Sequence, residues 1–368
     1  MRRLFVCTSG AKGSSMKINH AILHVLDFTS CVHVFAEEEM DPAGKMAKGF
    51  VAKHAGKALS NIDNKRGAFA SDSGFAEELQ AYARGELGFV DLSAQIAAFV
   101  GEELGRADKA ESTDVLVVDF EQEEERSAGE LDESQAEAAY RGRARRYFAI
   151  MLLESKQAYM HEVKRGDSGL QQCEVARHHA ILPNPSQKVA SYALVDMRSL
   201  AVQFSDKPRK IAGEERWLIP DGLLQCSMQA SSKETIQTVA RIVEDVAEEY
   251  GANTATALSK AKAYVSENVA EFEEIVPEEL GREVFGEGTP LLDRYEAAVA
   301  EEALPARIAV EREAAKRVAR NHKIRTDTGI EITFPAEYGR NPDFIEFVSG
   351  PDGKISIELK NISHIENR

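Results

Sequence analysis

The sequence predicts an α+β protein, with a mostly antiparallel sheet and packed helices in the N-terminal part and then a helical region that ends in β-hairpins. Three observations support this class. Before Ser231, apolar and polar residues alternate over several short runs, which is the period of a strand. After Ser231 apolar residues recur with helical spacing, and short alternating runs return near the C-terminal end. The length of 368 residues favours two domains, at about 150 residues per domain.

The first element is a predicted β-hairpin. Lys17–Asp27 alternates and predicts a strand with Ile18, Ile22 and Leu26 on one face. Cys31–Phe35 predicts the returning strand after a short polar turn.

Three amphipathic helices and a buried strand follow. The helices are predicted to begin near Met46, before Phe75 and at an Asp91 cap. Thr113–Phe120 contains the apolar run Val115–Val118 and predicts a buried strand. Residues 121–137 are rich in Glu and have too little apolar surface to offset the entropy of ordering, so they are predicted to form a solvated loop.

The rest of the first half predicts β-structure, which continues up to a Pro-Asp-Gly turn at Pro220. Its predicted strands lie within Tyr147–Val163, Cys173–Leu182, Ala190–Val195 and Leu200–Phe204.

The region after Ser231 predicts five helices and two hairpins. Ser231 and Glu234 form a capping box, in which each side chain accepts a hydrogen bond from a free backbone N–H. Pro277 suits the first turn of the third helix, and the fifth is predicted to run from about 308 to 321. The hairpins are predicted at Lys323–Phe334 and at Phe344–Ile362.

These patterns predict a division of the chain into two domains after a short leader. Residues 1–15 are predicted to be a leader or a disordered segment, and residues 16–228 an α+β domain that carries the acidic insert 121–137. Residues 229–368 are predicted to be a helical domain with C-terminal hairpins.

Composition excludes several classes of protein. No apolar run approaches the roughly 20 residues of a membrane-spanning helix, and the N-terminal apolar stretch is too short for a signal peptide, so we expect a cytoplasmic protein. The sequence has no phosphate-binding loop, dinucleotide fingerprint or nucleophile elbow, so no cofactor is expected. The four cysteines are far apart and form no Cys-x-x-Cys pair. The net charge of −16 counts against DNA binding unless positive charge is locally concentrated.

Positive charge is concentrated in residues 307–325, which hold seven basic and two acidic residues. On the predicted helix, Arg312, Lys316 and Arg320 fall on one face, and such a face can follow a phosphate backbone. The alternative is a solvated face whose charges pair with acidic neighbours. The candidate DNA contacts of this segment are Arg312, Lys316, Arg317, Arg320, Lys323 and Arg325.

A second basic cluster directly follows the acidic insert. Its pattern is typical of a nucleic-acid-binding arm, although the eight carboxylates of residues 121–137 offer local neutralisation. Its candidate DNA contacts are Arg141, Arg143, Arg145 and Arg146.

Two weaker patterns suggest metal chemistry. Asp343, Glu358 and Lys360 have the spacing of a PD-(D/E)xK nuclease core, in which two carboxylates hold Mg²⁺. Strand alternation explains Glu358 and Lys360 equally well as outward residues of a half-buried strand.

Three histidines of the predicted first hairpin are the other pattern. His20 and His24 share a strand face and His33 lies on the predicted partner strand. No carboxylate or thiol at ligand spacing completes a metal site, so we predict packed or exposed histidines.

Four parts of the chain follow one another in an order typical of a known family: Ile18–Asp27, the middle β-region, the helical stretch after Ser231, and the closing runs Gly329–Phe334 and Gly353–Ile362. This order resembles the nucleoid-associated proteins of the NdpA/YejK type, over nearly the whole chain from Met16. Residues 1–15 and 121–137 look peculiar to this chain. The resemblance implies a bacterial cytoplasmic protein located with the chromosome. It implies no known reaction and supplies no catalytic residues.

Three hypotheses follow. The first is a non-enzymatic nucleoid-associated protein that binds DNA sequence-tolerantly or docks on DNA-bound machinery. The second is an acidic adaptor that binds a nucleoid enzyme without touching DNA, because acidic surfaces suit basic DNA-binding proteins. The third is a metal-dependent nuclease. The sequence leaves a homo-oligomer open and predicts no membrane partner.

Overall fold

The fold consists of two units, each with its own core. Unit 1 ends at Gln229 and unit 2 begins at Ala230, and the short stretch 62–64 also belongs to unit 2. The computed structural model describes residues 16–41, 44–123, 144–165, 170–350 and 354–364.

Unit 1 is built on an antiparallel sheet. In its described part the strands are β1 (Met16–Asp27), β2 (Val32–Val34), β3 (Lys65–Gly67), β4 (Thr113–Glu123), β5 (Ala144–Glu154), β6 (Lys156–Arg165), β7 (Gln171–Ile181), β8 (Ser191–Asp196), β9 (Val202–Ser205), β10 (Pro208–Ile211) and β11 (Glu214–Trp217). Seven of them form one sheet in the order β2-β1-β4-β5-β8-β9-β3. Two further sheets are two-stranded in the described part, β6 with β7 and β10 with β11. The sheet confirms the predicted α+β class.

Helices cover both faces of this sheet, which explains why its central strands β4 and β5 carry apolar residues on both faces. The helices are α1 (Lys45–Leu59), α2 (Gly74–Ala83) and α3 (Phe89–Gly105). Val115 and Val117 of β4 share a buried cluster with α2 and α3. Leu116 and Val118 point the other way and share a cluster with α1.

Two local predictions for unit 1 were wrong. Ile18 does not share a face with Ile22 and Leu26, because β1 changes register against β4 between Ile18 and His20 and this irregularity turns Ile18 towards the α1 side. Asp91 is not a cap: Gly88 occupies the N-cap position of α3, and Asp91 lies in the first turn.

The start of the acidic insert also differs from the prediction. Glu121–Glu123 continue β4 and pair with β5, where Glu121 lies opposite Arg146 and Glu123 opposite Ala144. A partner strand therefore orders these three polar residues. The rest of the predicted loop, like residues 1–15, lies outside the described residues.

Asp114 of β4 is a buried carboxyl group whose ionisation affects the stability of the fold. It is 6% exposed, and burial, with the nearby charge of Asp27, raises the pKa of Asp114 to about 6. The native state thus favours protonated Asp114, and its ionisation costs free energy as the pH rises through that value. We expect Asp114→Asn to raise the free energy of unfolding by about 1–3 kcal/mol at pH 7.5, with the gain fading towards pH 4. Urea titrations at the two pH values measure this difference.

Exposed Asp72 provides the matched control for that substitution. Asp72→Asn should change the free energy of unfolding by less than about 0.5 kcal/mol at either pH. A gain for Asp114→Asn that is equal at both pH values would contradict the argument from burial.

Unit 2 is mainly helical in its first part. Its helices are α4 (Ser232–Glu249), α5 (Thr254–Phe272), α6 (Pro277–Phe285), α7 (Pro290–Glu301) and α8 (Arg312–Val318). The capping box predicted at α4 is present: Ser231 Oγ accepts from the Glu234 N–H at 3.1 Å, and Glu234 Oε2 accepts from the Ser231 N–H at 2.8 Å. Val239 and Val243 of α4 and Val265 and Val269 of α5 pack in one buried cluster.

Three strand pairs complete the described part of unit 2. They are β12 (Glu274–Ile275) with β13 (Ile308–Ala309), β14 (Asn321–Arg325) with β15 (Glu331–Pro335), and β16 (Ile345–Ser349) with β17 (Ile355–Leu359). The last pair is more exposed than predicted, since Ile355 and Leu359 are 53% and 50% exposed.

The predicted fifth helix, from 308 to 321, was wrong at both ends. Ile308 is in β13, opposite Ile275, and Asn321 already begins β14. Only the middle is helical, because strand partners elsewhere in unit 2 take the two ends. Arg320 therefore lies beyond α8, and the single helical face of Arg312, Lys316 and Arg320 does not exist.

Candidate nucleic-acid interface

Four basic side chains of the segment 307–325 are paired with carboxylates. Arg307 contacts Glu274 at 2.6 Å, and the Nε of Arg312 lies 3.1 Å from a carboxylate oxygen of Glu273. The other two pairs are Lys316 with Glu313 at 3.0 Å and Lys323 with Glu331 at 2.8 Å. Local pairing, which was the alternative interpretation of this segment, therefore applies to these four residues.

The other three basic residues of the segment are exposed arginines, which we call the arginine triad. Arg317 lies at the end of α8, Arg320 follows that helix, and Arg325 ends β14. None has an ion-pair partner among the residues that the structure describes. Arg325 lies opposite Glu331 in the hairpin, but that carboxylate is paired with Lys323. The triad is therefore the part of this segment that is available to an anion.

A buried hydrogen bond positions the strand that carries Lys323 and Arg325. His322 of β14 is 2% exposed, and its Nδ1 lies 2.5 Å from Ser259 Oγ of α5. Burial, with a further contribution from the charge of Lys262, lowers the pKa of His322 to about 4. Strand alternation directs Lys323 to the opposite face, where it is exposed.

The second basic cluster divides into two parts. Arg141 and Arg143 lie outside the described residues. Arg145 and Arg146 are in β5, paired with Gln122 and Glu121 of β4, so this part is strand rather than an arm.

Arg146 forms an ion pair with the buried carboxylate of Asp119. Its Nη2 lies 2.5 Å from Oδ2 of Asp119, a side chain with no exposed surface. Tyr82 donates to the same oxygen at 2.6 Å, and Asn19 donates to Oδ1 at 3.1 Å. Burial alone would raise the pKa of Asp119, but the hydrogen bonds from Arg146, Tyr82 and Asn19 outweigh it and lower that pKa.

This arrangement makes Arg146 a structural residue. Its guanidinium also lies over the Tyr82 ring, 5.5 Å from the centroid. Recruiting Arg146 to a phosphate would leave the Asp119 charge buried without its partner, which is costly. Sequence reasoning missed this role because Asp119 and Tyr82 are remote from Arg146 in the sequence.

The nuclease pattern does not assemble into a metal site. In the β16–β17 register Glu358 lies opposite Glu346, whereas Asp343 lies before the first strand. Lys360 contacts Glu346 and lies 3.6 Å from Glu358, so it neutralises carboxylates instead of facing an attacking water. Among the described residues, no group of three or more His, Cys, Asp or Glu side chains is arranged to hold a metal.

The three histidines of the first hairpin have separate environments. His24 is fully buried, with Nδ1 accepting from the Ala36 N–H at 3.1 Å and Nε2 lying 3.1 Å from Ser93 Oγ, and burial lowers its pKa. His20 contacts Glu39 at 2.9 Å, and His33 packs edge-on against Phe28.

Sequence reasoning did not single out the two-stranded ribbon β6–β7. One of its faces carries Arg165 and Arg177 without a carboxylate, and both residues are exposed. The signal in the sequence was the alternation of Tyr159, His161, Val163 and Arg165, which we interpreted only as β-structure.

These observations define a class of protein. In its described part the chain is a two-unit α+β protein, and three exposed arginines of its segment 307–325 have no ion-pair partner there. No helix in that part is long and apolar enough to cross a membrane. The sequence profile of the family NA37, nucleoid-associated protein YejK, matches residues 22–366, and the chain belongs to this family. The comparison with curated proteins gave no match.

Proposed function

We propose that this protein is a non-enzymatic component of the bacterial nucleoid in the cytoplasm, and that it binds duplex DNA with little sequence preference. The observation that carries the proposal is the arginine triad of unit 2, exposed and without ion-pair partners in the described part of a chain whose family is nucleoid-associated. Arginine side chains that are not neutralised locally can bind phosphate oxygens, which carry no sequence information.

The distribution of charge explains how an acidic protein can bind DNA. The net charge of −16 repels a polyanion at long range, but this repulsion is screened beyond about 8 Å at physiological ionic strength. Contact is then governed by the local charge at the interface. The same acidity limits the number of contacts, so we expect moderate affinity and strong dependence on salt.

Fluorescence titration of the whole protein with a labelled duplex across salt concentrations tests this function. Three to five phosphate contacts predict a log–log slope of roughly −3 to −5, with similar affinity for unrelated sequences. Adding Mg²⁺ should leave the duplex intact, since Asp343 and Glu358 do not converge. A flat salt response, or DNA cleavage that disappears in Glu358→Ala, would contradict the proposal.

The adaptor hypothesis is the second candidate, and the four paired basic residues of segment 307–325 favour it. Each ion pair neutralises a basic side chain that could otherwise contact a phosphate. The remaining surface charge of the protein is acidic and suits a basic partner. Absence of DNA binding at low salt, together with salt-sensitive binding of a basic DNA-processing protein, would favour the adaptor.

A further inference from the structure

The ribbon β6–β7 is a separate binding element of unit 1. β6 follows β5 after one residue, Ser155, and β7 returns towards β8, so the ribbon continues from two paired strands of the main sheet. No residue of β6 is buried, nor is any residue of Gln171–His178. A two-stranded ribbon exposed on both faces lacks a core of its own, which suggests that its exposed surface serves binding.

The two faces of the ribbon differ in charge. What we call the cationic face consists of directly paired residues: Tyr159 with Arg177, His161 with Val175, Val163 with Cys173, and Arg165 with Gln171. It contains two arginines and no carboxylate. The opposite face contains Glu162 and Glu174, both of which contact Lys164 at 3.0 Å.

The cationic face has one arginine at each end, and its middle holds two exposed valines together with His161 and Cys173. Arg177 donates to Tyr159 Oη at 2.8 Å and packs over its ring, 5.2 Å from the centroid. Arg165 lies at the other end and has no ion-pair partner among the described residues. Between them Val163 and Val175 are 59% and 76% exposed.

We infer that the cationic face binds in the major groove of duplex DNA, an inference that rests on the proposed function. The major groove is about 12 Å wide and admits a two-stranded β-ribbon, whose strands lie about 4.8 Å apart. Arg165 and Arg177 then contact phosphates, while the valines face base edges, where thymine methyl groups supply apolar contact. Association of two copies through this face is disfavoured, because it would bring the arginines of both copies together and like charges repel.

The decisive experiment compares two double variants of the whole protein in the salt titration. Arg165→Gln with Arg177→Gln removes both charges of the cationic face and should reduce the magnitude of the log–log slope by about 2. The control, Lys156→Gln with Lys164→Gln, removes the same charge from the ribbon outside this face and should leave the slope unchanged. Equal slopes for wild type and Arg165→Gln with Arg177→Gln would overturn the inference while leaving the proposed function intact. Failure of the wild type to bind DNA would contradict both the inference and the proposed function.

A second measurement needs no substitution. Cys173 is an exposed thiol on the cationic face, and Cys31 is an exposed thiol in the hairpin β1–β2. A saturating duplex should abolish alkylation of Cys173 by iodoacetamide and leave Cys31 reactive, as measured by peptide mass spectrometry. Equal reactivity of Cys173 with and without the duplex would contradict groove binding. A change from dimer to monomer in the double variant, with DNA binding unaffected, would instead make this face a protein interface.

Discussion

Arg146→Ala should lower the free energy of unfolding by about 2–4 kcal/mol, because it leaves a buried carboxylate without its ionic partner. Asp119 has no exposed surface, and Arg146 supplies its only ion-pair contact in the described part of the chain. The hydrogen bonds from Tyr82 and Asn19 remain and keep the loss below that of an isolated buried charge. Urea denaturation at neutral pH measures the effect.

Two further variants separate the buried charge from the loss of a side chain. Adding Asp119→Asn to Arg146→Ala removes the unpaired charge and should recover part of the stability. Arg216→Ala, which breaks the exposed pair of Arg216 with Glu214, should leave stability close to wild type. If Arg146→Ala is as stable as wild type, the network around Asp119 does not have the structural role assigned to it.

Reversing the arginine triad should have the largest effect on DNA binding. Each phosphate contact contributes close to tenfold in affinity at 0.1 M salt, so losing three should weaken binding roughly 10²–10³-fold and reduce the magnitude of the salt slope by about 3. The variant is Arg317→Glu, Arg320→Glu and Arg325→Glu in one chain. The measurement is the same titration used for the wild type.

A matched triple variant controls for net charge. Arg84, Arg106 and Arg216 are exposed arginines of unit 1, each already paired with a glutamate. Reversing these three changes the net charge by the same amount and should leave the salt slope unchanged. Equal losses in the two triple variants would show that binding responds to total charge alone, and the triad would lose its role.

Most regular elements could be predicted because their signals are local. The apolar run Val115–Val118 predicted a buried strand over Thr113–Phe120, and the strand is there with both faces covered. The capping box at Ser231 predicted the start of α4, since its two hydrogen bonds join residues only three apart in the sequence. The errors fell where a remote partner overrides local pattern, as at the ends of the predicted helix 308–321.

The sequence predicted where the basic residues of the candidate interface lie, but not which of them are paired. The concentration of basic residues in 307–325 is visible in the sequence, and the triad lies within it. Which of those charges are free depends on Glu273, Glu274 and Glu331, whose approach to their basic partners requires the folded chain. The ribbon β6–β7 was not predicted as a separate element, because strand alternation does not show that a strand pair lies outside the main sheet.

The sequence by itself determined the fold class, the order of most elements and the two clusters of basic residues, because hydrophobic period, caps and charge density are properties of neighbouring residues. The tertiary structure alone decided which arginines are held in ion pairs within the described part of the chain. Arg146 and Arg317 look equivalent in the sequence, yet one is held by a buried carboxylate and the other is exposed. The physical reason is that an ion pair depends on distance in space and on desolvation, and strand pairing sets both by bringing remote residues together.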